Sequence, residues 1–316
     1  RRQKPATHPL VAREEVRRAA TSAIGMSARA LSSGQVWLGT CAWSFDDWRD
    51  VFYPHELPRN RWLQFYARHF RAVEMDSSFY HLPSARTVSH WEELAGPGFR
   101  FCPKLPRTLS HEKRLEDPAP EIAMMRRLGE ELGPHWGCAL LQLPPSFHAR
   151  SHEEKVLRAF LRGWPADLPL AIEFRHESWE TPHAARILED HQVAWVWADN
   201  FALHEQKKSG FGFLPVTAPH LYVRLLGDFR TKYGPDGKET HRYGKLLWPR
   251  DISLDHWATK LRHHADADAL WLFANNHYEG MAVESVDRLA RRLGLDLPRS
   301  AAGPAQLDLF GGPAAG

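Results

Sequence analysis

Eight short apolar runs of strand length recur along the chain, and they constrain its fold more than any other feature. They read VWLGTCAW from Val36, RAVEMD from Arg71, FRFCPKL from Phe99, CALLQLP from Cys138, LAIEFRH from Leu170, AWVWADN from Ala194, LYVRLLG from Leu221 and LWLFANN from Leu270. Segments with helical spacing lie between them at residues 59–70, 85–95, 121–132, 153–163, 182–191 and 253–264, and another follows the eighth run at 284–294. Runs this apolar suit strands covered on both faces, and their alternation with helices suits parallel β/α units. Eight units in roughly 260 residues predict an α/β protein of the (β/α)8 TIM-like barrel type, with an open doubly wound sheet as the alternative.

Local signals refine the pattern. Ser84 and Ser151 read as start signals for the second and fourth helices. Residues 201–219 carry Gly and Pro and little helical periodicity, so no helix is expected between the sixth and seventh strands. The Gly-Pro-Asp-Gly turn after the seventh strand predicts a long loop overhanging the carboxyl ends of the strands.

At 316 residues, with 43% hydrophobic and 25% charged side chains, the chain fits one globular domain with tails. The expected division is a basic disordered extension over 1–34, the barrel domain over 35–296 and a flexible tail over 297–316. Met26 reads as the native start. The formal charge is +3, but residues 1–30 hold seven Lys/Arg against two Glu, so everything after them is slightly acidic. A nucleic-acid contact would therefore need a local patch. No stretch approaches the roughly 18 apolar residues of a membrane span, so no membrane partner is expected. Cys41, Cys102 and Cys138 each sit inside or at the end of an apolar run, which predicts reduced, buried thiols and a cytoplasmic protein.

The carboxyl ends of barrel strands build active sites, so polar residues closing the apolar runs are the candidates. These are Thr40 and Trp43; Glu74, Asp76, Ser78 and Tyr80; Lys104; Gln142; Glu173 and Arg175; Asp199 and Asn200; Arg224; and Asn275, Asn276 and His277. Glu74, Glu173 and Asp199 are the catalytic candidates, the two glutamates as a general acid/base pair. Thr40, Trp43, Tyr80, Lys104, Gln142, Arg175, Arg224, Asn275 and Asn276 are the substrate-binding candidates. Arg offers a planar fork for phosphate or carboxylate and Lys a point charge, so Lys104, Arg175 and Arg224 point to an anionic substrate. Asn275 and Asn276, with Gly280 at the start of a helix, suggest a phosphate cradle. Trp43, Trp48, Tyr80, Trp179 and Tyr278 would add faces for sugars or bases. No zinc spacing occurs, but a divalent ion could be shared by Glu74, Glu173, Asp199 and His277.

The strings GTCAWSFDDWRDVFYP, VEMDSSFYHLPS, FRFCPKLPRTLSH, LLQLPPSF, AIEFRHESW, YVRLLG and ANNHYEGMAVES, taken in order, resemble the successive motifs of the YecE-like family, domain of unknown function 72. The resemblance runs from about Val36 to Leu295 and implies a barrel and a shared pocket without supplying an activity. The chain differs from the family's usual pattern at Cys41 and Ala42, where a Ser-Gly pair is common, at Asp76, where Asn is common, and at Ala274, where an aromatic is common.

Beyond the last helix, a tail of Gly, Ala and Pro carries Gln306, Leu307, Asp308, Leu309 and Phe310. This pentapeptide resembles the motif by which bacterial polymerases and repair proteins dock on the β sliding clamp. The resemblance implies that the glutamine hydrogen-bonds while leucine and phenylalanine fill an apolar pocket. The resulting expectation is clamp-linked action on a phosphate-containing substrate or nucleic acid, with hydrolysis as the candidate chemistry. A non-catalytic module for an anionic metabolite or DNA end, and a sugar-processing hydrolase, stay open as alternatives.

Overall fold

The computed structural model describes residues 36–200, 212–227 and 243–297. All eight expected strands form: β1 Val36–Thr40, β2 Ala72–Met75, β3 Arg100–Pro103, β4 Ala139–Gln142, β5 Leu170–Glu173, β6 Ala194–Asn200, β7 His220–Gly227 and β8 Ala269–Ala274. Every pairing is parallel. Six strands run in the order β1-β8-β7-β6-β5-β4, and β2 pairs with β3 in a second ladder. Isolated bridges join the ladders, Cys41 to Glu74 on one side and Lys104 to Leu140 and Phe101 to Trp136 on the other. The architecture is thus an α/β fold with a curled parallel sheet and helices outside it, of the TIM-barrel kind.

Side chains alternate across each strand, which separates two apolar clusters. Inside the curl sit Cys41, Ala72, Cys102, Leu140, Ala171, Val196, Tyr222 and Phe273, mostly small or flat side chains where eight strands converge. Outside it, Leu38, Val73, Leu141, Ile172, Trp197, Val223 and Leu272 meet the helices. Trp37 stacks on Trp271 at 5.4 Å, toward the strands' amino ends. The three cysteines are buried and free, in line with the sequence expectation.

Seven α-helices occur among the described residues: α1 Trp62–Tyr66, α2 Ala85–Ala95, α3 Ala119–Leu132, α4 Ser151–Gly163, α5 Pro182–Glu189, α6 Asp251–Arg262 and α7 Ala282–Leu293. Ser84 caps α2 as expected, its hydroxyl accepting from the Thr87 amide. Ser151 does not cap α4. It is the first helical residue, Arg150 precedes it with no side-chain cap, and Glu153 and Glu154 supply the first-turn negative charge. Helix α1 is shorter than its periodicity implied. The amides of Arg68 and His69 bond back only three residues, to Phe65 and Tyr66, as the chain tightens to bury Phe70. A π-helix over Thr108–Glu112, after β3, has no counterpart in the sequence reading. The basic extension, most of both long loops and the pentapeptide Gln306–Phe310 lie outside the described residues. Among the described residues, no helix is long and apolar enough to cross a membrane.

Candidate anion-binding site

The strand alternation places inward-facing polar side chains at the carboxyl ends of the sheet, around a cavity of about 440 Å³. Of the residues expected to bind substrate, Tyr80, Lys104, Gln142, Arg175, Arg224 and Asn275 line it. Asp76, Phe79, His111, Leu226, Gly227 and His277 complete the wall.

Arg224, only 2% exposed, forms the floor. Its Nε and Nη2 fork onto Glu74 at 2.9 and 2.6 Å, while Nη1 reaches Glu173 and, at 3.4 Å, the Gln142 Oε1. Nη2 also faces the Cys41 sulfur at 3.9 Å. A guanidinium has five N–H donors, and all five find partners inside the protein. The expectation that Arg224 clamps a ligand is therefore corrected: it locks the floor.

Glu74 and Glu173 are also corrected. They are 0% and 1% exposed, lie beneath the cavity and do not line it. Tyr222 donates to Glu74 at 2.9 Å, and Arg175 Nε donates to Glu173 at 2.5 Å. Burial alone would push the Glu173 carboxyl up, but Arg175 and Arg224 outweigh it and hold it down to about 2. Both carboxylates are shut off from the cavity and bonded to Arg224, so neither reaches a bound ligand and they do not act on it as an acid/base pair. Burial and Glu74 push the Cys41 thiol up, keeping it protonated.

Three further candidates face the wrong way. Asp199 projects to the outer side of β6, where Ser253 and Trp257 of α6 donate to it at 2.7 and 2.8 Å. Thr40 bonds the Tyr66 hydroxyl and the Ala42 carbonyl behind β1. Asn276 is buried, accepting from the Trp48 indole and the Ala282 amide at the start of α7, so it anchors a helix instead of cradling phosphate. Among the described residues, no group of three His, Cys, Asp or Glu side chains could hold a metal ion. The expected ion set is split, since Arg224 binds both glutamates and Asp199 lies across the sheet.

Of the expected aromatic faces only Tyr80 is open, at 70% exposure; Trp48, Trp179 and Tyr278 are core residues. Trp43 packs edge-on against Trp91 at 5.2 Å, after Ala42 turns the chain away with φ of 80°. That left-handed conformation favours glycine.

Lys104 and Arg175 are the cations presented to the cavity. The Ser78 hydroxyl receives the Lys104 amide at 2.9 Å, and the Lys104 Nζ lies 3.3 Å from Asp76 and 4.4 Å above the Phe79 ring. The Arg175 Nε is taken by Glu173, whereas its two Nη groups have no acceptor among the described residues. Sequence reading missed His111, because the apolar run it follows ends well before the π-helix carries it back to the wall.

The chain matches the profile of a family described as protein of unknown function DUF72 over residues 37–307. It is 26% identical over 291 residues to the UPF0759 protein YunF of Bacillus subtilis, covering 87% of this chain and 100% of that protein. To the UPF0759 protein YecE of Escherichia coli it is 33% identical over 145 residues, covering 45% of this chain and 48% of that protein. A crystal structure of a DUF72 family protein from Thermotoga maritima is similar with a TM-score of 0.67 and 26% identity, covering 82% of this chain and 99% of the other. A DUF72 family protein from Enterococcus faecalis gives 0.63 at 22% identity, covering 86% and 100%. With its motifs in order, its strands in the same arrangement and the profile spanning most of its length, the chain belongs to the DUF72 family.

Proposed function

We propose that this protein binds a phosphate- or carboxylate-bearing ligand in the cavity at the carboxyl ends of the strands, which close into a complete (β/α)8 barrel. The bridges at both seams support the closure. The observation that carries the ligand reading is the pair of unshared Arg175 Nη groups facing the same cavity as Lys104, above two carboxylates whose oxygens are already taken up by Arg224 and the Arg175 Nε. A forked guanidinium and an ammonium on one wall match an anion's oxygens. The locked glutamates favour binding over acid/base hydrolysis by that pair, and they remove the basis for a sugar hydrolase.

Sulfate or phosphate at a hundredfold excess over Kd should raise the melting temperature by about 5 °C or more. Arg175→Ala should lose that protection while keeping a cooperative transition. Equal protection of both proteins would end the assignment.

The pentapeptide Gln306–Phe310 supports placing the ligand in DNA metabolism, as a nucleic acid or DNA end delivered by the β sliding clamp. Burying its two leucines and phenylalanine gains roughly 1.5–3 kcal/mol each before ordering costs, enough for a Kd on the order of 1 μM. A peptide of residues 301–314 should bind the clamp of the same bacterium and lose binding when Leu309 and Phe310 become Ala. Calorimetry without heat at about 100 μM would remove the clamp from the reading. Three buried, unpaired thiols support a reducing compartment such as the cytoplasm.

A further inference from the structure

We infer that the cavity takes up its anion together with a proton, and that the imidazole of His111 accepts it. The inference rests on the anion reading above and adds the group that makes binding depend on pH.

His111 reaches the wall on the π-helix Thr108–Glu112, a wide turn that is uncommon and concentrated at functional sites. Its Nδ1 is engaged by the Ser110 hydroxyl at 2.9 Å, and its ring meets Phe79 edge-on at 5.2 Å. The Nε2 has no hydrogen-bond partner among the described residues. The ring is thus held by one nitrogen and one face, with the other nitrogen available to a ligand.

The charges around it favour the neutral ring while the cavity is empty. Lys104 at the end of β3, Arg107 before the π-helix and Arg175 beyond β5 all bear on it, and only Glu112 opposes them. Glu112 is itself paired with Arg107 at 2.6 Å, and Asp76 is paired with Lys104. Burial and these three cations hold the imidazole below its ordinary value. An anion seated against Lys104 and Arg175 offsets two of the cations and attracts the proton directly. Linkage then requires the converse, that a protonated ring binds the anion more tightly. His277, the other imidazole of the cavity, stands at the end of β8 against the Tyr243 hydroxyl at 3.2 Å, which separates its role from that of His111.

Sulfate is the probe, because it stays a dianion across the range. For the unsubstituted protein, sulfate affinity should tighten about tenfold from about pH 8 to about pH 5.5. In His111→Gln the dependence on pH should flatten, whatever the absolute affinity, and in His277→Gln it should persist. Calorimetry of the unsubstituted protein in two buffers of different ionisation enthalpy should show proton uptake with sulfate. Nuclear magnetic resonance should show the His111 ring titrating at higher pH once sulfate is bound, so the inference is testable even if His111→Gln does not fold. An unchanged slope in His111→Gln, a slope lost in His277→Gln, or sulfate binding without proton uptake would each overturn the inference and leave the anion reading standing. An absence of sulfate binding at every pH would overturn both.

Discussion

Replacing Arg224 with methionine will destabilise the protein by about 3–5 kcal/mol, the cost of breaking a buried ion pair from one side. Among the described residues the guanidinium is the one group that touches Glu74, Glu173 and Gln142 together, and neither glutamate has solvent to turn to. Removing it leaves two buried carboxylates with far less compensation. Lysine will not rescue the loss, since a single ammonium cannot fork onto Glu74 while reaching Glu173. Adding Glu74→Gln and Glu173→Gln to Arg224→Met should recover part of the stability by removing the uncompensated charges.

The same network sets a limit in acid. Glu173 is held down to about 2 from its usual 4.5, so its contribution is present above about pH 4.5 and disappears as pH falls toward 2. The unsubstituted protein should therefore lose on the order of 3 kcal/mol across that window. Arg224→Met should show a shallower acid limb, because only Arg175 then lowers the Glu173 carboxyl. Denaturant unfolding at several pH values checks both results. A cost below about 1 kcal/mol for Arg224→Met would show that the floor is not held by this network.

Gly227→Ala is the second large effect, and it acts on the cavity through backbone. Gly227 ends β7 with φ of 71°, and a Cβ there would sit 2.2 Å from the His277 carbonyl oxygen and 2.5 Å from the Tyr278 Cα. Left-handed strain of about 1–2 kcal/mol adds to overpacking of about 1–3 kcal/mol, giving roughly 2–5 kcal/mol in all. The displaced chain is the one bearing Asn275 and His277, so sulfate protection should fall as well. Gly294→Ala is the control. It has φ of 73° but nothing within 4 Å of the added Cβ, so it should cost about 1–2 kcal/mol and leave sulfate protection intact. Equal costs for the two substitutions would show that the close approach of β7 to the β8 loop is not rigid.

The helices and strands were legible because their signals are local. Helix α2 begins at Ala85, behind the Ser84 cap, and ends at Ala95, where the spacing placed it. The π-helix was not legible, since the apolar spacing of Thr108–Glu112 does not distinguish a wide turn from an ordinary one. Thr40, Asp199 and Asn276 were misassigned for a different reason. Each closes an apolar run, but each sits at the odd step of the alternation and faces helices, whereas Cys41 and Ala198 beside the first two face the inside of the curl and Asn275 beside the third lines the cavity. Counting in twos from the inward Glu74, Glu173 and Arg224 finds Asp76, Arg175 and Leu226 in the wall, so that part of the site was readable in the sequence.

By itself the sequence determined the eight parallel units, the collection of charged side chains at one end and the burial of the three thiols. Alternation, helical period and caps depend on neighbours within a few residues. Only the tertiary structure decided which charges remain for a ligand. Arg224 lies 150 residues from Glu74 and 51 from Glu173, and the curl of the sheet alone brings the three together. Burying ionised groups is costly unless they pair, so the innermost cation takes both carboxylates. Lys104 and Arg175, nearer the rim, keep donors facing outward.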